Sequence, residues 1–163
     1  MPWFNLTPVQ DERIFDTARH VYRYDMHLPA SADEVWAGLV AERPLIWCRA
    51  LQGRYTSARP FGVGTTREVG VVANTLKLRE RFFIWDEARR RHAFYVEQTN
   101  LPLFSVFAED YEVTPTAQGC RFTWRFAIEG RKGLGPMFAM TQPMNKWLLL
   151  DGLIRDTERH FKA

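Results

Sequence analysis

With 163 residues, 46% of them hydrophobic and 25% charged, the chain has ordinary globular composition and fits one domain able to bury a full core. A net charge of +3 without a long Lys/Arg stripe argues against a nucleic-acid partner, and the tight basic cluster Arg89, Arg90 and Arg91 reads as a solvated hairpin tip. No apolar stretch approaches the length of a membrane-spanning helix, and no secretory signal is expected from the N-terminal residues. Cys48 and Cys120 lie far apart without metal-site spacing and suit small buried hydrophobes in a reducing cytosol.

Residues 1–18 mix prolines, aromatics and charges and read as an irregular lead-in. From Arg19 to Leu28 the sequence alternates, with His20, Tyr22, Tyr24, Met26 and Leu28 on one face, which predicts a half-buried strand. Pro29 ends it. Ser31 with Glu34 forms a capping box, and Val35, Trp36 and Leu39 follow on one helical face. A second short helical turn is expected after Pro44. Strands are then predicted over residues 51–57, 65–72, 76–85, 92–99, 104–114 and 120–130, separated by turn-rich segments such as Phe61-Gly-Val-Gly64. In the last of these, Phe122, Trp124, Phe126 and Ile128 alternate with polar residues, the cleanest period-two signal in the chain. Pro136 suits a first helical turn, and a helical pattern runs from there to Phe161. Met137, Met140, Met144, Trp147 and Leu148 make one apolar stripe of that helix, and Leu150, Leu153, Ile154 and Phe161 make a second, rotated one. Pro143 lies in the first stripe and should bend or interrupt the helix.

The order of these elements, together with several local segments, is similar to the START-related superfamily, SRPBCC, and within it to the polyketide cyclase/dehydrase-like branch. Leu28-Pro-Ala-Ser-Ala-Asp-Glu-Val-Trp36 resembles that family's first strand running into its capped helix. Phe61-Gly-Val-Gly64, Leu78-Arg-Glu-Arg81 with Trp85-Asp86, Tyr111-Glu-Val-Thr-Pro115 and Gly119-Cys-Arg-Phe-Thr-Trp124 resemble its later turns and strands, over residues 19–161 in all. The resemblance implies an α+β helix-grip fold: a curved seven-stranded antiparallel sheet around a long C-terminal helix, with short helices after the first strand, as one ligand-binding domain over residues 19–163. It also implies a largely apolar cavity between sheet and helix, holding a small hydrophobic molecule such as a lipid, polyketide or quinone. It carries over no catalytic residue, because relatives of this kind include both carriers and cyclases.

The side chains expected to line that cavity follow from the alternation. Leu78, Glu80 and Phe82 share one strand face with Ile84, Tyr111 comes from a later strand, and Phe122, Trp124 and Phe126 form the last-strand wall. Met137, Met140 and Met144 would supply the helix side, since thioethers mould to varied ligands. The same residues would also make a well-packed core with no cavity. Glu80, a carboxylate among apolar neighbours, either orients a ligand or acts as an acid–base group, or forms an ion pair with an Arg on a neighbouring strand. Tyr111 either donates into the cavity or is satisfied within the core. Asp151 either reaches the pocket edge or pairs with Arg155. His20, His27, His92 and His160 are scattered without ligand spacing, so neither a metal nor a cofactor is indicated. Three function classes follow: a binding module with a cavity of roughly 300 Å³ or more, a cyclase/dehydratase-type enzyme using two converging polar groups, and a regulatory or interaction domain with a collapsed core. The sequence leaves open the choice between them and the oligomeric state.

Overall fold

A computed structural model of the chain describes residues 1–162, with the side chains of all of these except Phe138, Ala139, Gln142, Asn145, Trp147 and Leu148. The elements run β1 (Phe4–Asn5), α1 (Ile14–Thr17), β2 (His20–Leu28), α2 (Ala32–Leu39), β3 (Leu51–Tyr55), β4 (Thr66–Val71), β5 (Leu76–Asp86), β6 (Arg91–Thr99), β7 (Phe104–Thr116), β8 (Gly119–Gly130), α3 (Gly135–Asn145), a π-helical turn (Lys146–Leu150) and α4 (Asp151–Lys162). The continuous sheet has seven strands in the order β2-β8-β7-β6-β5-β4-β3, and every pairing is antiparallel. This curled sheet with a C-terminal helical segment is the helix-grip architecture.

Local chemistry accounts for most of the boundaries. Side chains on β2 alternate between half-buried or buried and exposed along its whole length, as a strand with one wet face must. Ser31 Oγ accepts from the Glu34 N–H at 3.2 Å and starts α2, which buries Ala32, Val35, Trp36 and Leu39. The β7–β8 hairpin closes at Gly119, whose φ of 143° and close approach to the Leu28 carbonyl (2.0 Å from where a Cβ would sit) leave no room for a side chain. The expected helical turn after Pro44 is a non-helical turn instead. Leu45 takes a positive φ of 57° there, which no helix continues.

Two expectations change. Residues 1–18 are not wholly irregular: Phe4 pairs with Thr99 and Asn5 with Gln98, and Leu6 N–H donates to Glu97 O. β6 and β7 pair only from Arg91↔Glu112 to Tyr95↔Ala108, and the N-terminal segment fills the opening where they part, with Thr7 N–H reaching Ser105 O. A two-residue strand is too short for period two to reveal. Second, a bulge between Phe82 and Ile84 in β5 turns Ile84 out of the interior, where it packs beside Phe15, Ala93 and Ala127 on the sheet's other face; Trp85 takes its place inside. As Pro143 leads one to expect, the terminal helix is interrupted. α3 carries Pro143 and passes through the π turn before α4 resumes.

The main core lies between the sheet's concave face, α2 and α4. α4 is anchored by Trp47 Nε1–H donating to Thr157 Oγ1 at 3.0 Å and by Arg49, whose backbone N–H and guanidinium both reach Asp156 at 3.0 Å.

Candidate functional site

A small cavity lies between the concave face and the helical cover. Its sheet wall comes from β4 (Arg67, Val69, Val71), β5 (Leu76, Leu78, Glu80), β7 (Phe104, Phe107, Glu109, Tyr111) and Phe126 of β8. Leu149, Leu150 and Leu153 close it from the helical side. Its volume is about 50 Å³. That is room for one or two waters, at about 30 Å³ each, and it falls well short of the ligand-sized space expected from sequence. In this conformation the leucines of the cover occupy much of the hollow.

The expected lining residues divide into three groups. Leu78, Glu80, Tyr111 and Phe126 reach the cavity. Phe82, Phe122 and Trp124 are buried on the same side of the sheet but pack behind it, with Trp124 stacked between Phe122 and Phe126. Met137, Met140 and Met144 are the correction: they are 46%, 83% and 55% exposed, so the stripe they form faces solvent. The helix-period signal identified a shared face and carried no information about which way that face turns. Trp147 and Leu148, expected on the same stripe, lie outside the described side chains. Asp151 accepts from Tyr24 Oη at 2.9 Å and faces Lys146 Nζ at 3.3 Å, half-buried at the start of α4.

The polar residues of the wall form two hydrogen-bonded pairs that feel each other's charge. Arg67 sits opposite Glu80 across β4 and β5, so period two places both on the inner face. Arg67 Nε donates to Glu80 Oε2 at 2.6 Å, with the two side chains 1% and 2% exposed. The ion pair with an Arg on a neighbouring strand is therefore the arrangement Glu80 adopts. The guanidinium also lies over the rings of Phe94 (4.4 Å) and Phe82 (5.2 Å), which favour a cation on their faces. Burial works against its charge, but Glu80, with Tyr111 and Tyr55, outweighs burial and holds Arg67 firmly protonated. Burial raises Glu80 above the ordinary carboxylate range, and Arg67 partly offsets it.

Glu109, on the next inner-facing position before Tyr111, accepts from Tyr111 Oη and from Trp124 Nε1, each at 2.8 Å and each on Oε2. Burial first, and the Glu80 carboxylate second, push its pKa up to about 7 against the donated bonds and Arg67. Tyr111 is thus satisfied within the core while still bordering the cavity. Among the described residues three side chains have buried nitrogens without a hydrogen bond: Arg67 at Nη1, His92 at both ring nitrogens and Arg131 at Nε. His92 is enclosed by Trp36, Trp85, Phe82 and Tyr111, with ring centroids 4.9–5.0 Å away, and burial drives its pKa well below the ordinary imidazole value.

Arg67 and Glu109 are the site residues that sequence reasoning passed over as candidates. The signal for Arg67 was present, since it alternates with Val69 and Val71 on an apolar face. A wider depression of about 1170 Å³ is lined by Trp3, Arg43, Arg54, Glu68, Lys77 and Arg79 and opens to solvent. Glu68 there is shared between Arg54 at 2.8 Å and Arg79 at 3.3 Å, and the lining as a whole carries more cations than carboxylates. The inner cavity, enclosed between the sheet and the helical cover and bordered by the buried Arg67–Glu80 pair, is the better candidate. Arg91, read as part of a solvated tip, instead bridges Asp110 and Glu12 at 3.1 and 2.7 Å. Among the described residues no cluster of three or more His, Cys, Asp or Glu is placed to hold a metal ion, and no helix is long and apolar enough to cross a membrane.

Known proteins agree with this architecture. The chain is 30% identical over 159 residues to an uncharacterized protein of Mycobacterium tuberculosis, covering 91% of this chain and 90% of that one. A START superfamily protein from Mycobacterium smegmatis superposes with a TM-score of 0.67 at 13% identity, over 88% of this chain and 97% of that one. The major latex-like protein 151 of Panax ginseng superposes with a TM-score of 0.67 at 16% identity, over 88% and 98%. Residues 19–155 match the family described as polyketide cyclase / dehydrase and lipid transport. With that match spanning most of its length, the chain belongs to the polyketide cyclase/dehydrase and lipid transport family.

Proposed function

We propose that the protein binds a small hydrophobic ligand, a lipid, polyketide, quinone or similar molecule, between the concave sheet face and the helical cover. The observation that carries this reading is the composition of the wall: an apolar surface interrupted by two buried polar pairs, Arg67 with Glu80 and Glu109 with Tyr111. A core that only packs would gain from apolar residues at these positions, because burying an ion pair rarely stabilises more than well-packed hydrophobes do. The cover suits displacement by a ligand. It is interrupted by Pro143 and a π turn and keeps three methionines in solvent. Cys48 and Cys120 are free and buried, which supports a reducing cytosol as the compartment. Native mass spectrometry of freshly purified protein tests the reading. A co-purified hydrophobic mass supports it; ligand-free protein that also shows no thermal shift with fatty acids, quinones or aromatic polyketides sinks it.

A second reading has its own support. Glu109, with a pKa near 7, has the proton affinity of a general acid–base group and stands beside a permanently charged arginine. A cyclase/dehydratase-type reaction on a polyketide-like substrate would use it. The variants E80Q and E109Q separate the two readings: a carrier keeps its ligand in both, and an enzyme loses turnover while still binding.

A further inference from the structure

The free edge of β3 combines open backbone groups with an excess of positive charge. Thr56 N–H donates to Thr66 O at 2.9 Å and Val72 N–H to Ala50 O at 2.8 Å, so the even-numbered residues of this segment bond to β4. Leu51, Gly53 and Tyr55 alternate with them and turn N–H and C=O the other way, to the edge where β3 has no neighbouring strand. Leu51 N–H is taken by Cys48 O. Among the described residues, nothing bonds to the backbone groups that Gly53 and Tyr55 turn to that edge. Leu51, Gln52, Gly53 and Arg54 also line the wide outer depression, so the edge faces an open space of about 1170 Å³. Five cations line the same space, Arg43, Arg49, Arg54, Lys77 and Arg79, against two carboxylates, Glu42 and Glu68. That excess equals the net +3 of the whole chain, so the remainder of the molecule sums to neutral. Arg49 is matched by Asp156 at 3.0 Å, and Arg54 and Arg79 share Glu68. Arg43 and the Lys77 ammonium have no ion-pair partner among the described residues.

A bare strand edge is a template for pairing with another chain, and the charge around it selects which chain. A second copy would bring the same cations together. The opposite edge of the sheet, β2, has no comparable excess, since its outward Arg23 is matched by Asp25 at 2.9 Å. We propose that β3 receives an extended acidic segment of another protein, which joins the sheet as an added strand about as long as β3 itself, five residues. The backbone groups of Gly53 and Tyr55 supply the ladder, and the partner's carboxylates lie among Arg43, Arg54 and Lys77. Ile46, in the same lining and 64% exposed, offers an apolar contact to the partner's other face. Acidic residues therefore alternate with uncharged ones in the partner, as side chains on a strand alternate between faces.

Three capped, fluorescently labelled peptides test this on the full chain: ETEVETE, which has the required charge and alternation; EPEPEPE, equal in charge but without the N–H groups of a ladder; and KTKVKTK, equal in pattern but opposite in charge. Dissociation constants are measured by fluorescence anisotropy at low ionic strength, where surface charge is least screened. ETEVETE is expected to bind about tenfold or more tightly than either of the others, the scale of a few surface charge pairs and edge hydrogen bonds. Amide hydrogen exchange followed by NMR should slow at Gly53 and Tyr55 when ETEVETE is added. The variant R43E/K77E reverses the two cations that hold no partner, which leaves the internal ion pairs intact and removes the positive excess. It should weaken ETEVETE binding by about tenfold or more. Equal binding of ETEVETE and EPEPEPE, or unchanged exchange at Gly53, would mean that charge attracts without strand addition and overturns the proposal. Undiminished binding by R43E/K77E, tighter binding of a short DNA duplex than of ETEVETE, or no binding of ETEVETE at all overturns it as well.

Discussion

The two walls of the cavity are built by different means. The sheet wall is fixed by backbone ladders: Arg67 opposes Glu80, and Tyr111 opposes Trp124, because register allows no other partner. The helical cover has no ladder to the sheet. It is held by side chains, chiefly Leu150, Leu153 and Phe161 within the core, and by the ties of α4 to Trp47 and Arg49. One wall is therefore a preformed surface bearing fixed polar groups. The other is a packed lid whose first half, α3, presents methionines to water. A rigid wall can hold chemistry in place, while a cover secured by apolar contacts can yield to an apolar guest, which offers contacts of the same kind.

The contrast can be broken most forcefully at Arg67. R67M should destabilise the fold by about 3–5 kcal/mol, because it strands a buried carboxylate, and R67M/E80M should recover most of that loss. Urea midpoints measure both; a loss under about 1 kcal/mol for R67M would show that water reaches Glu80 and the wall is not sealed. Next come matched truncations of the two walls. L78A in the sheet wall should cost about 4 kcal/mol, and L150A in the cover about 2 kcal/mol, since the cover can relax into the space and the sheet cannot. Equal losses would remove the distinction between rigid and yielding walls.

Ionisation gives a finer test, because two buried groups in the same core respond to pH in opposite directions. Glu109 has its pKa raised from 4.5 to about 7, so the folded state holds this proton more tightly than the unfolded state does. Its contribution is complete below about 4.5 and is lost as pH rises toward 7. Glu80, also raised, acts in the same direction. His92 is shifted below 6.5, so its contribution is complete above that value and is lost as pH falls. Urea unfolding from pH 4.5 to 8 should show native stability varying little between pH 4.5 and 6.5, where the trends oppose each other. H92F should gain on the order of 1–3 kcal/mol near neutrality by removing two unmatched nitrogens, and it should grow more stable on acidification. E109Q, which keeps an acceptor for Tyr111 and Trp124, should instead lose stability as pH falls. Parallel pH profiles for the two variants would contradict the assignment. The smallest effect is expected at the cover's outer face. M140S should change stability by less than about 0.5 kcal/mol, and a larger loss would mean that the methionine stripe packs against something.

How much of this was legible beforehand varies by element. β8 could be read to within a residue because Phe122, Trp124, Phe126 and Ile128 alternate without a break. The start of α2 was equally clear from Ser31 and Glu34. Glu80 was placed on the inner face correctly, but its partner was not identified, because cross-strand register is a long-range property. Ile84 was misplaced by one bulge, which reverses every inward and outward assignment beyond it.

Local periodicity determined the strands, the capped helix, the break near Pro143 and the identity of the apolar faces, since each depends on side chains a few positions apart. Tertiary structure alone decided which faces met: that the methionine stripe turned to solvent, that Leu150 and Leu153 filled the hollow, that Phe4 and Asn5 joined β6, and that Arg67 lay against Glu80 with one donor to spare. Period two or 3.6 sorts residues onto a face but is the same whichever way the element is rotated. Orientation is set only when distant elements compete for the same core.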